Sequence, residues 1–128
     1  ESKGIVVILE ANDHFETDAY ISIEETADYI RGVNSPSLKL QLDTMHMKYE
    51  DEEIYHQILK YGDLIYQVDI SGEDRSCPDG ADFDYPLLIQ ALEEIGYERY
   101  LAFEYRPEPP RNTAEEGFRY IRSLIGCK

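Results

Sequence analysis

At 128 residues, 42 % of them hydrophobic and with 11 tyrosines and four phenylalanines, the chain has apolar material for one domain with a real core and too little length for several. Its formal charge of −15, from 27 acidic and 12 basic residues spread along the whole chain, repels phosphate backbones and anionic lipid and argues against nucleic acid or a membrane as partner. No apolar run approaches the roughly 18 to 20 residues of a membrane span, and the opening "ESKG" has none of the basic and apolar regions of a signal peptide.

In chain order, "GIVVILEA" (4–11) is a continuous apolar run of β-branched residues and Leu, the composition of a strand covered on both faces. Ser22 with Glu25 three residues on is a capping-box signature that opens a helix through "IEETADYIRGV". The Asn34-Ser35-Pro36 breaker leads into a strand, "SLKLQLD", and then a helix, "DEEIYHQILKYG", closed by Gly62. "DLIYQVDIS" is a third strand. A long Gly-, Asp- and Pro-rich loop, "SGEDRSCPDGADFD", precedes the helix "YPLLIQALEEIGY", with Pro86 tolerated in its first turn. "RYLAFEYRP" is the fourth strand, and "TAEEGFRYIRSLIG", N-capped by Asn112 or Thr113, the fourth helix. Four consecutive βα units with no Asn-Gly hairpin signal predict an α/β fold with four parallel strands and right-handed crossovers.

Each predicted strand ends its apolar run on an acid: Glu10, Asp43, Asp69 and Glu104. A single strand-end acid is most simply a solvated loop residue, but four place a convergence of carboxylates at the C-terminal edge of one parallel sheet, where such folds bind ligands. Converging, partly buried anions must be protonated, paired or bound to a metal. Arg75 and Arg106 are too few to neutralise four acids, whereas a divalent cation suffices, and oxygen ligands suit Mn²⁺, Mg²⁺ or Ca²⁺.

These segments together, "ILEAND", "SPSLKLQLDTMHM", "VDISGEDRSCPDGADFDYPLLIQALEEIGY" and "LAFEYRP", resemble the C-terminal half of a sugar isomerase or epimerase of the xylose-isomerase-like (β/α)8 barrel superfamily. Its hydroxypyruvate isomerase and ketose 3-epimerase branches are the nearest. The resemblance covers nearly the whole chain as strands five to eight of a TIM barrel. It implies a metal, Mn²⁺ or Mg²⁺, held by Glu10, Asp43, Asp69 and Glu104, with Glu10 and Glu104 also moving protons and His46 and Arg75 holding substrate oxygens. Family members usually carry His or Gln at the third ligand position, where this chain has Asp69, and often a second His where it has Gln67. The chemistry so implied removes a proton α to a carbonyl and stabilises an enediolate, with one carboxylate as base and another as acid.

Plainer readings fit the remaining residues. His14 is expected in a solvated loop, His56 on a helix surface, Cys77 as incidental, and Tyr105 equally near or away from the site. Cys77 and Cys127 are too few for a disulfide scaffold and wrongly spaced for a CxxC pair, so reduced thiols in a cytoplasmic protein are expected.

A closed (β/α)8 barrel takes about 250 residues, and four strands alone would leave two sheet edges and an apolar inner face uncovered. The chain, residues 1–128, is therefore read as a single half-barrel domain. It is a fragment lacking an N-terminal half, which the absence of Met at position 1 favours, a homo-oligomer in which a second copy closes the barrel, or an open domain that buries its edges in another way. Rival functions are a metal-dependent dehydratase (a lyase), a nuclease of the endonuclease IV type, which the charge disfavours, and a non-catalytic half-barrel interaction module.

Overall fold

The computed structural model describes residues 3–50, 53–106 and 110–126. Four strands, β1 (Val7–Glu10), β2 (Leu38–Asp43), β3 (Ile65–Ile70) and β4 (Leu101–Phe103), form one sheet in the order β1-β2-β3-β4, every pair parallel. Strand order equal to chain order means that the connections never reverse direction across the sheet. That is the winding of a (β/α)8 barrel half, and it separates this fold from a doubly wound sheet.

The helices are α1 (Ile23–Val33), α2 (Thr44–Tyr49), α3 (Ile54–Tyr61), α4 (Tyr85–Glu94) and α5 (Pro110–Leu124). Alternation along the strands turns Leu40, Leu42, Val68 and Ile70 to one face, where they are fully buried in one core with Ile23, Ala27 and Ile30 of α1, Ile58 and Tyr61 of α3, and Leu88 and Ala91 of α4. Among the described residues no helix is long and apolar enough to cross a membrane.

Local chemistry places most boundaries where the sequence predicts them. Ser22 Oγ accepts the Glu25 N–H at 3.1 Å, and the Glu25 carboxylate accepts the Ile21 N–H at 3.2 Å, so the capping box closes one residue earlier than its usual form. Asn34 ends α1 in the left-handed conformation (φ 52°) and binds the carbonyls of Ile30 and Arg31. Asp84 caps α4 by accepting the Leu87 N–H at 3.0 Å, with Pro86 in the first turn.

Gly62 does close α3, with helical dihedrals (φ −54°), and a side chain there would be crowded by Ile58 O and the Ile95 side chain, each 3.0 Å from a Cβ. Several expectations need correction. The last helix begins at Pro110, so Asn112 and Thr113 lie inside it and neither is its N-cap, and its actual cap lies outside the described residues. Pro fits that first turn because its missing N–H would have had no helical partner. The short helix α2, directly after β2, was not anticipated. The first and fourth strands are also shorter than their apolar runs.

The inner face is not apolar either. Gln41 and Gln67 point there and bond to the strand-end acids, forming an amide layer beneath them. Uncovered apolar surface lies instead at the two sheet edges: Ile5 and Val7 beside β1, and Phe103 with Phe118 beside β4, are exposed. In a closed barrel these edges are the ones that pair with further strands.

Candidate active site

The parallel register brings the strand-end acids together. Asp43 pairs with Asp69, Glu10 lies opposite Gln41, and Asp69 lies opposite Ala102, which puts Glu104 two residues past that pairing. Glu104 follows β4 directly and keeps the ladder going by donating its N–H to Ile70 O at 3.0 Å. Glu10, Asp43, Asp69 and Glu104 each offer an oxygen within 4.8 Å of the others. Asp43 is fully buried and Asp69 nearly so, while the side chain of Glu104 is half exposed.

The amide layer fixes two of the four. Gln41 Nε2 donates to Glu10 Oε1 and to Asp69 Oδ2, each at 2.9 Å, and Gln67 Nε2 donates to Asp69 Oδ1 at 2.8 Å. Asp43 is held from its own chain: its Oδ1 caps α2 by accepting the Met45 N–H at 2.8 Å and the His46 N–H at 3.4 Å. That cap turns the chain inward, so the buried ring of His46 reaches within 4.8 Å of Glu10 and Asp43.

Arg75 arrives from the loop after β3, where it and Asp74 are both left-handed (φ 58° and 54°). Two consecutive non-Gly residues in that region store strain of about 1–3 kcal/mol each. Tyr49 Oη donates to Asp74 Oδ1 at 2.9 Å and Asp82 accepts the Glu73 N–H at 2.7 Å, which hold the loop in that shape. The guanidinium donates to Asp43 Oδ2 at 2.5 Å and lies 3.2 Å from Glu104. Thr44 Oγ1, which donates to Ser71 O at 2.6 Å and accepts the Ser71 N–H at 2.8 Å, ties the end of β2 to that of β3 beneath this pair.

Burial raises the Glu10, Asp69 and Glu104 carboxyls above their ordinary values, and the charge of Asp43 adds to each shift. His46 opposes the shift at Glu10, Gln67 at Asp69, and Arg75 at Glu104. The folded chain therefore binds these protons more tightly than the unfolded chain, so stability is gained as pH falls and lost as pH rises through the raised values. Without added divalent ion, Tm is expected to rise as pH is lowered from about 7 toward about 5. Glu10→Gln should raise Tm at neutral pH and flatten that dependence, and differential scanning calorimetry of both chains decides it. A wild-type Tm that falls over this range would mean that the acids are already well compensated.

All six residues singled out from the sequence meet at this point, and three participants were missed. Asp13 is buried against His46, with Asp13, Glu16 and His46 forming a second group whose ligand atoms lie within 4.8 Å of one another. Asp13 and Glu16 also line a cleft of about 760 Å³ with Met45, Tyr49, Arg75 and Arg106. Gln41 is the third; its place two residues before Asp43 was the available signal, since period two puts both on one face. Tyr105 points away, donating to Thr113 O at 2.9 Å. His56 is exposed and paired with Glu53, and His14 pairs with Glu50 at the rim instead of standing free in solvent. Burial raises the Cys77 thiol, which favours its unreactive form.

The family model described as xylose isomerase-like TIM barrel matches residues 1–124. The chain belongs to this family. Relatives of this xylose isomerase-like chain include a ketose 3-epimerase of Arthrobacter globiformis, 30 % identical over 79 % of this chain and 35 % of its own length. The hydroxypyruvate isomerase of Escherichia coli is 24 % identical over 93 % of this chain and 46 % of its own. Among solved structures, D-psicose 3-epimerase with D-tagatose from Clostridium cellulolyticum superposes with a TM-score of 0.89 at 20 % identity, over 98 % of this chain and 51 % of that one, a likeness of fold. The chain thus spans about half or less of the length of these relatives.

Proposed function

We propose that this chain is the metal- and substrate-binding half of a divalent-metal-dependent sugar isomerase or epimerase. The remaining four strands of its barrel would come from an N-terminal half or a second copy of the chain, joined at the β1 and β4 edges. The reading is carried by the convergence of Glu10, Asp43, Asp69 and Glu104 within 4.8 Å at the C-terminal end of a parallel sheet. The donor set fits a hard cation: all four groups are carboxylates, and each oxygen that accepts an amide or guanidinium keeps a further lone pair. Asp69 gives the site one more negative charge than the imidazole or amide usual at that position. When bound, an ion such as Mn²⁺ or Mg²⁺ acts as a Lewis acid on the substrate's carbonyl and neighbouring hydroxyl.

The protein's own groups do the rest. Glu10 ends β1 and Glu104 directly follows β4, the outermost two of the four strands, on either side of a ligand seated over Asp43 and Asp69. One takes the proton α to the carbonyl and the other returns it, giving isomerisation or epimerisation through an enediolate according to where the proton is delivered. Their raised proton affinities bring both closer to the working pH of a general acid or base. Arg75 holds an oxygen of the substrate, and His46 holds another.

The test is activity toward small ketoses and hydroxypyruvate by the assembled barrel with Mn²⁺ or Mg²⁺. Glu10→Gln and Glu104→Gln are each expected to lower kcat by about 10²- to 10⁴-fold. Full activity in both variants would remove them as proton carriers, and a folded, metal-loaded barrel inert toward every substrate would favour an interaction module.

A further inference from the structure

Two arginines line the cleft at the C-terminal end of the sheet, and their charges are engaged differently. Arg75 lies against the Asp43 and Glu104 carboxylates, so its positive charge is already offset inside the site. Arg106 is exposed on the cleft wall. Among the described residues no acid lies within 4.0 Å of its guanidinium, and no hydrogen bond engages its side chain. Glu16, Glu73 and Asp74 line the same cleft, and none of them pairs with it. A chain with 27 acidic and 12 basic residues has no shortage of anionic partners, so the unpaired state of Arg106 comes from where the backbone puts it.

Glu104 donates its N–H to Ile70 O at 3.0 Å, and Arg106 donates its own to Arg75 O at 2.8 Å, so the chain leaving β4 stays bound to its neighbour at every second residue. Tyr105 between them turns to the other side, donating to Thr113 O at 2.9 Å. Alternation then puts the Arg106 side chain on the side of Glu104, two residues or roughly 6.5 Å farther along the chain. Glu104 belongs to the carboxylate cluster over which the reacting carbonyl is seated, so Arg106 meets another part of the same ligand, its far end. We infer that Arg106 is a specificity-determining residue that binds an anionic group, a carboxylate or a phosphate, at the end of the substrate remote from the reacting carbonyl. The inference rests on the proposed function and names its substrate class: sugar acids or sugar phosphates charged at the tail, ahead of neutral ketoses and of short keto acids whose only charge adjoins the carbonyl. A guanidinium suits this task because its paired donors match a carboxylate or phosphate and its charge persists at any working pH. The neighbouring acids sharpen the selection, since Glu16, Glu73 and Asp74 repel an anion placed elsewhere along this wall.

Isothermal titration of the 128-residue chain in saturating Mg²⁺ tests this by affinity, without turnover. The probes are D-fructose and D-tagatose, each compared with the matching uronate, in which a carboxylate replaces the terminal hydroxymethyl group, and with its terminal phosphate ester. A uronate or a phosphate ester is expected to bind about tenfold or more tighter than its parent sugar, the worth of a charge-assisted hydrogen bond. Whichever of the two does so identifies the anion. Arg106→Gln should bring that ligand down to the affinity of the parent sugar. The side chain has no partner to lose and the backbone bond to Arg75 O is kept, so the variant is expected to fold. Equal affinities for charged and neutral sugars, an anion preference that survives in Arg106→Gln, or no binding of any charged sugar overturns the inference. The two readings fail separately. An anion preference lost with Arg106, in an assembled barrel that turns nothing over, removes the isomerase reading and keeps this one, whereas turnover of ketoses with no preference for charge does the reverse.

Discussion

Asp43→Asn is expected to lower Mn²⁺ affinity by more than the roughly 10- to 100-fold that outer-shell changes at metal sites cost. Asp43 is fully buried within the carboxylate cluster, and its Oδ2 is the oxygen that accepts from Arg75. The substitution keeps the shape of the side chain and an oxygen able to accept from Met45 and His46, so the start of α2 survives. What it removes is a charge and the second anionic oxygen, the properties a hard cation requires. Calorimetric titration of both chains with Mn²⁺ and Mg²⁺ reads the difference. Saturable one-to-one binding lost in a folded variant supports the metal centre, and equal binding in the two chains would move the ion elsewhere. No binding by either would mean that the strand-end acids need the rest of the barrel.

Leu42→Ala should do the opposite. Leu42 is the immediate neighbour of Asp43 but points to the other face of the sheet, where it is fully buried in the core. Its truncation removes buried methyl groups and leaves a cavity, with an expected loss of about 2–5 kcal/mol and a fall in Tm of about 10 °C or more. Provided the measurement is made well below the new Tm, metal affinity should stay within about threefold of wild type, because sites on opposite faces with no shared partner behave additively. Denaturant melts with and without Mn²⁺ give both quantities. A large loss of affinity would show that the helix-side packing and the carboxylate side are one cooperative unit.

The two variants isolate a feature that a strand's period of two made legible in advance. "LKLQLD" places three leucines on one face and Lys39, Gln41 and Asp43 on the other, so a buried sheet with a polar inner layer could have been anticipated. The inner surface was instead expected to be apolar, because the first apolar run reads as a strand covered on both faces and half a barrel leaves its inner face uncovered. Gln41 and Gln67 show why that fails here: a layer of carboxylates needs donors below it, and amides supply them without adding charge. The helix α2 was missed for a related reason. Its signal, Asp43 as a cap, lies at the end of a strand, where the same residue was already assigned to the metal.

Composition, apolar periodicity and breaker residues determined four βα units, their parallel sense and the four acids that close their strands, since each is a local property of consecutive residues. Only the tertiary structure decided which groups face those acids. The Asp13 contact with His46 joins residues 33 positions apart, and the Arg75 contact with Asp43 joins residues 32 apart. Both depend on where two loops fold over a sheet edge and on backbone conformations, Asp74 and Arg75 at positive φ, that side-chain propensity disfavours. Period and propensity act within a few residues, whereas the compensation of buried charge is settled by whichever donors the packed chain brings within hydrogen-bond reach.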